Sequence, residues 1–172
     1  IEKPISNKLK NTNTLLKIVE EKNIKVLVGY NLRFLESMQI FKKAVSKKNL
    51  GKIYFIRSEV GQDLQTWRPG SDYKKSVSAQ KNLGGGVLLE LSHEIDYLTW
   101  IFGRADWVYG YIDRVSKLKI DVEDLAQVLF KFTPNSYHSN ILANLTLDFI
   151  RKDKVRKCTI IGEKGTLVWD GV

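Results

Sequence analysis

Only one cysteine, Cys158, occurs in the 172 residues, so no intrachain disulfide can form, and a reducing compartment is the default expectation. The two histidines and that single thiol have no familiar zinc-ligand spacing, which leaves no metal site to expect. Three prolines and twelve glycines are too few for a collagen-like or linker-like chain. Long apolar runs are missing too. The two best, around Leu88 and Ile141, are broken by Glu90, His93 and Asn144 well short of the roughly 20 residues a membrane span requires. Ile1 to Ser6 has neither the apolar core nor the cleavage site of a signal peptide, and the only methionine is Met38, so the chain is expected to begin inside a longer protein.

What is present is enough to bury a core. With 43% hydrophobic, 10% aromatic and 27% charged residues, the composition is that of about one folded domain. The formal charge of +9 invites a nucleic-acid reading. The basic residues are spread, however, with only short pairs at Lys42-Lys43, Lys47-Lys48, Lys74-Lys75 and Arg151-Lys152, the pattern of solvated faces; neither nucleic acid nor membrane is an expected partner.

Periodicity outlines an α+β domain with a largely antiparallel sheet covered by helices on one face. Leu15, Leu16, Ile18 and Val19 fit a helix that stops near Asn23, and Lys25 to Tyr30 reads as a buried strand, which together make an αβ unit without its first strand. A second helix from about Phe34 to Lys47 aligns Leu35, Met38, Phe41 or Lys42, and Val45, and closes at Asn49-Leu50-Gly51. Alternation over Ile53 to Gly61 predicts a strand covered in part on both faces. Residues 62–86 form a long loop with about one helical turn, of the kind that is often functional. From Gly86 to Gly103, Leu88, Leu91, Ile95, Leu98 and Phe102 recur at helical spacing. Strand-like segments follow at 106–115, 124–132, 139–150, 155–161 and 165–169, separated by turn signals such as Thr133-Pro134-Asn135 and Glu163-Lys164-Gly165. Successive strands without helices between them predict antiparallel pairing. The late strands carry Val128, Leu129, Phe130, Ile141, Leu142, Leu145, Leu147 and Phe149, which predicts apolar residues on both faces and a homo-oligomer formed through the sheet.

Three stretches together resemble the glucose-fructose oxidoreductase and inositol dehydrogenase (Gfo/Idh/MocA) family of NAD(P)-dependent enzymes that act on sugars and cyclitols. They are Glu2-Lys3-Pro4, Gly29 to Phe34, and Gly84 to Tyr97 with Glu90, His93 and Asp96, in matching order and separation. The resemblance implies an N-terminal Rossmann domain followed by an α+β substrate domain. Residues 1–31 would be the tail of the first and 32–172 the second. No strand, G-x-G-x-x-G and helix occur in succession, so NAD or NADP would be bound mainly outside this chain, which alone would be inactive. A small sugar or nucleotide sugar is the implied substrate, and the lone thiol and the cofactor suggest the cytoplasm. A non-catalytic sugar-binding or oligomerisation module on the same scaffold is the alternative.

Carbinol oxidation moves a hydride to nicotinamide and a proton to a base, so the site needs a group within hydrogen-bond reach of the hydroxyl. By the family pattern Lys3 stabilises developing alkoxide charge and His93 accepts the proton. Lys3, Pro4 and Tyr30 would border the nicotinamide. Helical spacing groups Glu90, His93, Asp96 and Tyr97 on one side, away from the Leu91, Ile95 and Leu98 stripe, where a carboxylate would favour the charged imidazole. Many family members have Asp four residues before this histidine; here Leu89 stands there and Glu90 is at three, so the assisting carboxylate is Glu90 or Asp96. Asn31 and Arg33 follow the expected strand, and the resemblance implies that this segment lies beside the cofactor and substrate; the other reading of Arg33 is an interdomain salt bridge. Trp67, Arg68 and Tyr73 resemble loop residues of a branch that modifies surface-glycan sugars, an aromatic and a guanidinium suiting a ring and an oxyanion; the other reading is that they cap the sheet. Cys158, in a strand, reads as a buried small hydrophobe.

Overall fold

The computed structural model describes residues 1–47, 49–134 and 140–172; Lys48, Asn135 of the expected turn and residue 139 of the expected strand lie outside the described residues. A six-stranded sheet forms the body. Its strands are β1 (Ile53–Gly61), β2 (Ala105–Asp113), β3 (Leu125–Phe132), β4 (Ile141–Asp148), β5 (Val155–Gly162) and β6 (Gly165–Asp170). They lie in the order β2-β3-β4-β1-β5-β6, antiparallel except for the β1–β4 pair, so the domain is α+β as its periodicity predicts.

Period-two alternation decides which face each side chain takes. Ile56, Ser58 and Val60 on β1, Ala126, Val128, Phe130 and Phe132 on β3, Ile141, Ala143, Leu145 and Leu147 on β4, and Cys158 and Ile160 on β5 are all buried. Against them pack α2 (Glu36–Ser46), through Met38 and Phe41, and α4 (His93–Phe102), through Tyr97, Leu98 and Phe102. Two expectations are corrected here. β1 is covered on one face only, with Phe55 and Arg57 open to solvent, because among the described residues no helix lies over the other face. Of the eight late-strand residues expected to spread over both faces, only Leu129 and Leu142 are exposed; the rest share the helix-covered side.

Helix α1 (Thr12–Glu21) forms but buries no residue, and Lys25 to Tyr30 is not a strand. That segment runs extended beside residue 1, with Ile1 donating to Leu27 O at 2.9 Å and Gly29 donating to Ile1 O at 2.8 Å, and Leu27 stays 68% exposed. An apolar run becomes a strand only when another strand satisfies its backbone, and within this chain a single residue does so. Helix α2 starts at Glu36, after a 3-10 turn at Asn31–Phe34, because Leu35 is extended and exposed. The 62–86 loop holds three 3-10 turns instead of one, at Tyr73–Lys75, Val77–Ala79 and Lys81–Leu83.

The expected helix from Gly86 to Gly103 is two helices, α3 (Val87–Glu90) and α4, with a break at Leu91 and Ser92. The cause is local. The Glu90 carbonyl, which an unbroken helix would offer to the amide of Glu94, is taken by the ammonium of Lys3, and the Glu94 amide turns to Leu91 O at 3.5 Å. The glycines before α3 serve packing. Gly86 sits at φ 106° where a Cβ would meet the Glu123 carboxylate, which accepts from the Leu88 amide at 3.2 Å, and a Cβ on Gly85 would meet the Val77 and Ser78 carbonyls.

Candidate active site

The break between α3 and α4 gathers charged side chains from four parts of the chain. Lys3 follows Glu2 into a cis Lys3–Pro4 peptide, and its half-buried ammonium donates to Glu90 O. His93 opens α4 and is half-buried; it is a first-turn residue, not the mid-helix residue that the unbroken periodicity predicts. The Tyr30 ring stands edge-on to its imidazole, with centroids 5.7 Å apart, and His93 Nδ1 is buried without a hydrogen-bond partner among the described residues.

Neither candidate carboxylate bonds the imidazole. Glu90 accepts from the Ser78 hydroxyl at 2.6 Å and lies beside the Lys3 charge. Asp96 accepts a two-pronged bond from Arg33, at 2.8 Å from Nε and 2.6 Å from Nη2, and the same guanidinium lies 5.7 Å from the Trp100 ring centroid. Tyr97, expected on the polar side, is fully buried, its hydroxyl 2.5 Å from that of Ser58.

The electrostatics follow from burial. The His93 imidazole is pushed down to about 4, first by burial and then by the Lys3 and Arg156 cations, while Asp96 pulls weakly the other way. It is therefore neutral at pH 7, contrary to the charged form expected from a neighbouring carboxylate. Burial also lowers the Lys3 ammonium below the usual lysine range, with Glu90 and Glu94 opposing. A neutral imidazole and a nearby ammonium can take a proton and stabilise an oxyanion, respectively.

Two residues of this cluster are absent from the sequence reading: Glu94 and Arg156. Glu94 is 0% exposed, and its Oε1 accepts from Arg156 Nε at 2.9 Å while its Oε2 has no partner among the described residues. Burial pushes this carboxyl up to about 7 despite Arg156 and Lys3. Both carried a signal. Glu94 falls three residues after Leu91 and four before Leu98, on the apolar stripe, and Arg156 alternates with Cys158 and Ile160 on the buried side of β5. A charge at a core position has to be paired, and the two pair with each other.

Beside the cluster opens a cavity of ≈ 340 Å³ lined by Gln62, Trp67, Leu91, Phe149, Lys154 and Arg156, among others. Trp67 thus reaches the site, its ring 5.5 Å from that of Phe149. Trp67, Arg68 and Tyr73 also line one small cleft of the loop together; Arg68 is exposed there, and Tyr73 borders a second cleft as well, where its hydroxyl accepts from the Lys119 amide at 3.3 Å. Asn31 is exposed in the 3-10 turn that also carries Arg33. Cys158 is buried and its thiol is pushed up to about 12 by burial. Among the described residues no His, Cys, Asp and Glu cluster could hold a metal, and no helix is long and apolar enough to cross a membrane.

The family model of the GFO/IDH/MocA C-terminal domain matches residues 38–168. An uncharacterized oxidoreductase of Synechocystis is 30% identical over 108 residues, which are 61% of this chain and 28% of that protein. Glucose-6-phosphate 3-dehydrogenase of Bacillus subtilis is 23% identical over 134 residues, 74% of this chain and 36% of that one. Among solved structures, the WlbA dehydrogenase of Bordetella pertussis, in complex with NADH and UDP-GlcNAcA, superposes with a TM-score of 0.82 at 23% identity, covering 99% of this chain and 51% of that one. The chain thus spans about half of that structure's length and between 28% and 36% of these curated relatives.

Proposed function

Because the chain belongs to the GFO/IDH/MocA family, as its C-terminal domain, we propose that it is the substrate-holding, proton-transferring part of an NAD(P)-dependent dehydrogenase acting on a sugar or cyclitol hydroxyl. The observation that carries this reading is the meeting of Lys3 with a neutral His93 at the α3–α4 break, beside a cavity of ≈ 340 Å³. In this reading residues 1–31 are the tail of a dinucleotide-binding domain and 32–172 the substrate domain.

When bound, the nicotinamide dinucleotide supplies the hydride acceptor. The residues fit its nicotinamide end only. Tyr30 packs edge-on against His93 and the Lys3 charge acts on it, whereas the chain has no glycine-rich phosphate turn following a strand. The remaining chemistry belongs to this chain. His93 takes the hydroxyl proton, which a neutral imidazole can do down to mildly acidic pH. Lys3, fixed by the Glu90 carbonyl, holds the reacting oxygen and stabilises its growing negative charge. Glu90 acts on Lys3 and Asp96 on Arg33, so each carboxylate tunes a cation and neither orients the histidine.

The test is made in the intact two-domain protein. There, His93→Asn and Lys3→Met are each expected to lower turnover by about 10² or more, with dinucleotide affinity held within about twofold. Near-normal turnover of His93→Asn would leave only the non-catalytic module.

The open sheet face supports a homo-oligomer, its occupant a second copy of this chain. Trp107, Lys131, Leu142, Phe55 and Ile161 form one row across it, and Arg57, Glu59, Lys157 and Asp170 stand beside them. Charges of both signs on one patch suit a two-fold axis that pairs the patch with itself. Light scattering is expected to give a dimer or higher that Leu142→Glu, in the middle of that row, weakens; a monomer at tens of micromolar counts against it.

A further inference from the structure

The two arginine–carboxylate pairs of this site are built differently. Arg33 spends Nε and Nη2 on both oxygens of Asp96. Arg156 gives Glu94 its Nε alone, and its two terminal nitrogens bond no described residue although its side chain is only 24% exposed. A guanidinium held by Nε presents its remaining N–H groups as a rigid fork, the arrangement that matches the paired oxygens of a carboxylate or phosphate.

Arg156 lines the wall of the ≈ 340 Å³ cavity. Lys154, two positions earlier in the chain, is a second lining cation, and it is exposed. Trp67 and Phe149 add apolar surface suited to a sugar ring, and Gln62 a polar group. Asp148 also lines the cavity, but its Oδ1 is already held by the amides of Ile150 at 3.0 Å and Arg151 at 2.8 Å. Leu91, directly after the Glu90 whose carbonyl binds Lys3, ties the cavity to the reacting centre. The volume is near the small end of ligand sites, enough for one ring with a substituent.

We propose that this cavity is an oxyanion subsite, in which Arg156, aimed by Glu94, and Lys154 bind a carboxylate or phosphate substituent of the sugar whose hydroxyl is oxidised at His93. The substrate class is thereby an anionic sugar, a sugar acid or a sugar phosphate. The proposal rests on the dehydrogenase reading for its link to His93, but the anion site is read by binding alone.

Isothermal titration of the intact protein with glucuronate, glucose 6-phosphate and glucose tests it. At least one anion is expected to bind about tenfold or more tighter than glucose, and which of the two does so separates a carboxylate site from a phosphate site. Arg156→Lys keeps the charge but loses the fork and is expected to reduce that preference about tenfold; Lys154→Met, at an exposed position, is expected to reduce it about threefold. Glu94→Gln, which loosens the aim of Arg156, should raise KM for the anionic substrate more than it lowers kcat, and Glu94→Asp should restore part of the loss. Should Arg156→Lys fail to fold, Lys154→Met and the fall of wild-type anion affinity with salt decide. Equal binding of glucose and both anions by the wild type, or a preference that survives both cation changes, overturns the subsite. Anion binding without NAD(P) reduction by any carbinol overturns the dehydrogenase reading alone.

Discussion

Helix α4 begins and ends in different surroundings. Its later turns carry Leu98 and Phe102, both fully buried against the sheet, with the Phe102 ring 5.5 Å from that of Phe132. Its N-terminal end, with the capping Ser92, holds three buried polar atoms without partners among the described residues: Ser92 Oγ, His93 Nδ1 and Glu94 Oε2. Each such orphan costs about 1–3 kcal/mol, so one end of the helix stabilises the fold and the other draws on it. Strain of this kind persists where surrounding structure over-determines it and is concentrated at functional sites.

The largest effect should come from the stable end. Phe102→Ala is expected to destabilise the fold by about 3–5 kcal/mol, read as a shift of the urea midpoint. If the loss is under about 1 kcal/mol, the contrast between the two ends is wrong, because such a core ring should cost several times more.

Next comes pH. His93 sits at about 4 when folded against 6.5 when unfolded, so the unfolded chain takes up the proton first and stability is lost as pH falls from 6.5 towards 4. Glu94 is raised from 4.5 to about 7, so the stability of its protonated form is present below 4.5 and lost as pH rises towards 7. The two slopes oppose each other between about pH 4.5 and 6.5 and flatten the wild-type curve. Glu94→Gln removes one of them, and stability of that variant is expected to rise across the window by an amount of order 1–3 kcal/mol. Melting temperatures at three pH values check this; a variant as flat as the wild type refutes the opposition. In kinetics, the acidic limb of kcat/KM for the free enzyme should fall near pH 4–5, well below the ordinary histidine range.

The smallest effect belongs to Ser92→Ala. Removing an orphan hydroxyl relieves its desolvation, so the change should lie within about 0.5 kcal/mol of neutral or be stabilising, by thermal denaturation. A loss above about 1 kcal/mol would mean that Ser92 has a partner after all.

The strands were legible in the sequence because one buried face imposes strict alternation; Ala126, Val128, Phe130 and Phe132 leave little choice of register. Lys3, His93 and Tyr30 were legible through their motifs. The α3–α4 break was not, since its cause is an ammonium 87 residues away in sequence. The Lys25 to Tyr30 run misled for the opposite reason: it has strand composition, and strand formation depends on neighbours that composition does not report. Glu94 and Arg156 were hidden because an ion pair that spans 62 residues shows in one dimension only as two misplaced charges.

The position of β1 has a kinetic consequence. The first strand of this sheet to leave the ribosome lies in its middle, between β4, where Phe55 faces Leu142, and β5, where Ile56 faces Ile160. Ile56 and Val60 must wait for partners about a hundred residues downstream, which at ~5–20 residues per second is roughly 5–20 s of synthesis with both edges of β1 open. Contacts so distant in sequence make for slow folding, and the waiting strand is the segment from which aggregation of the nascent chain would start.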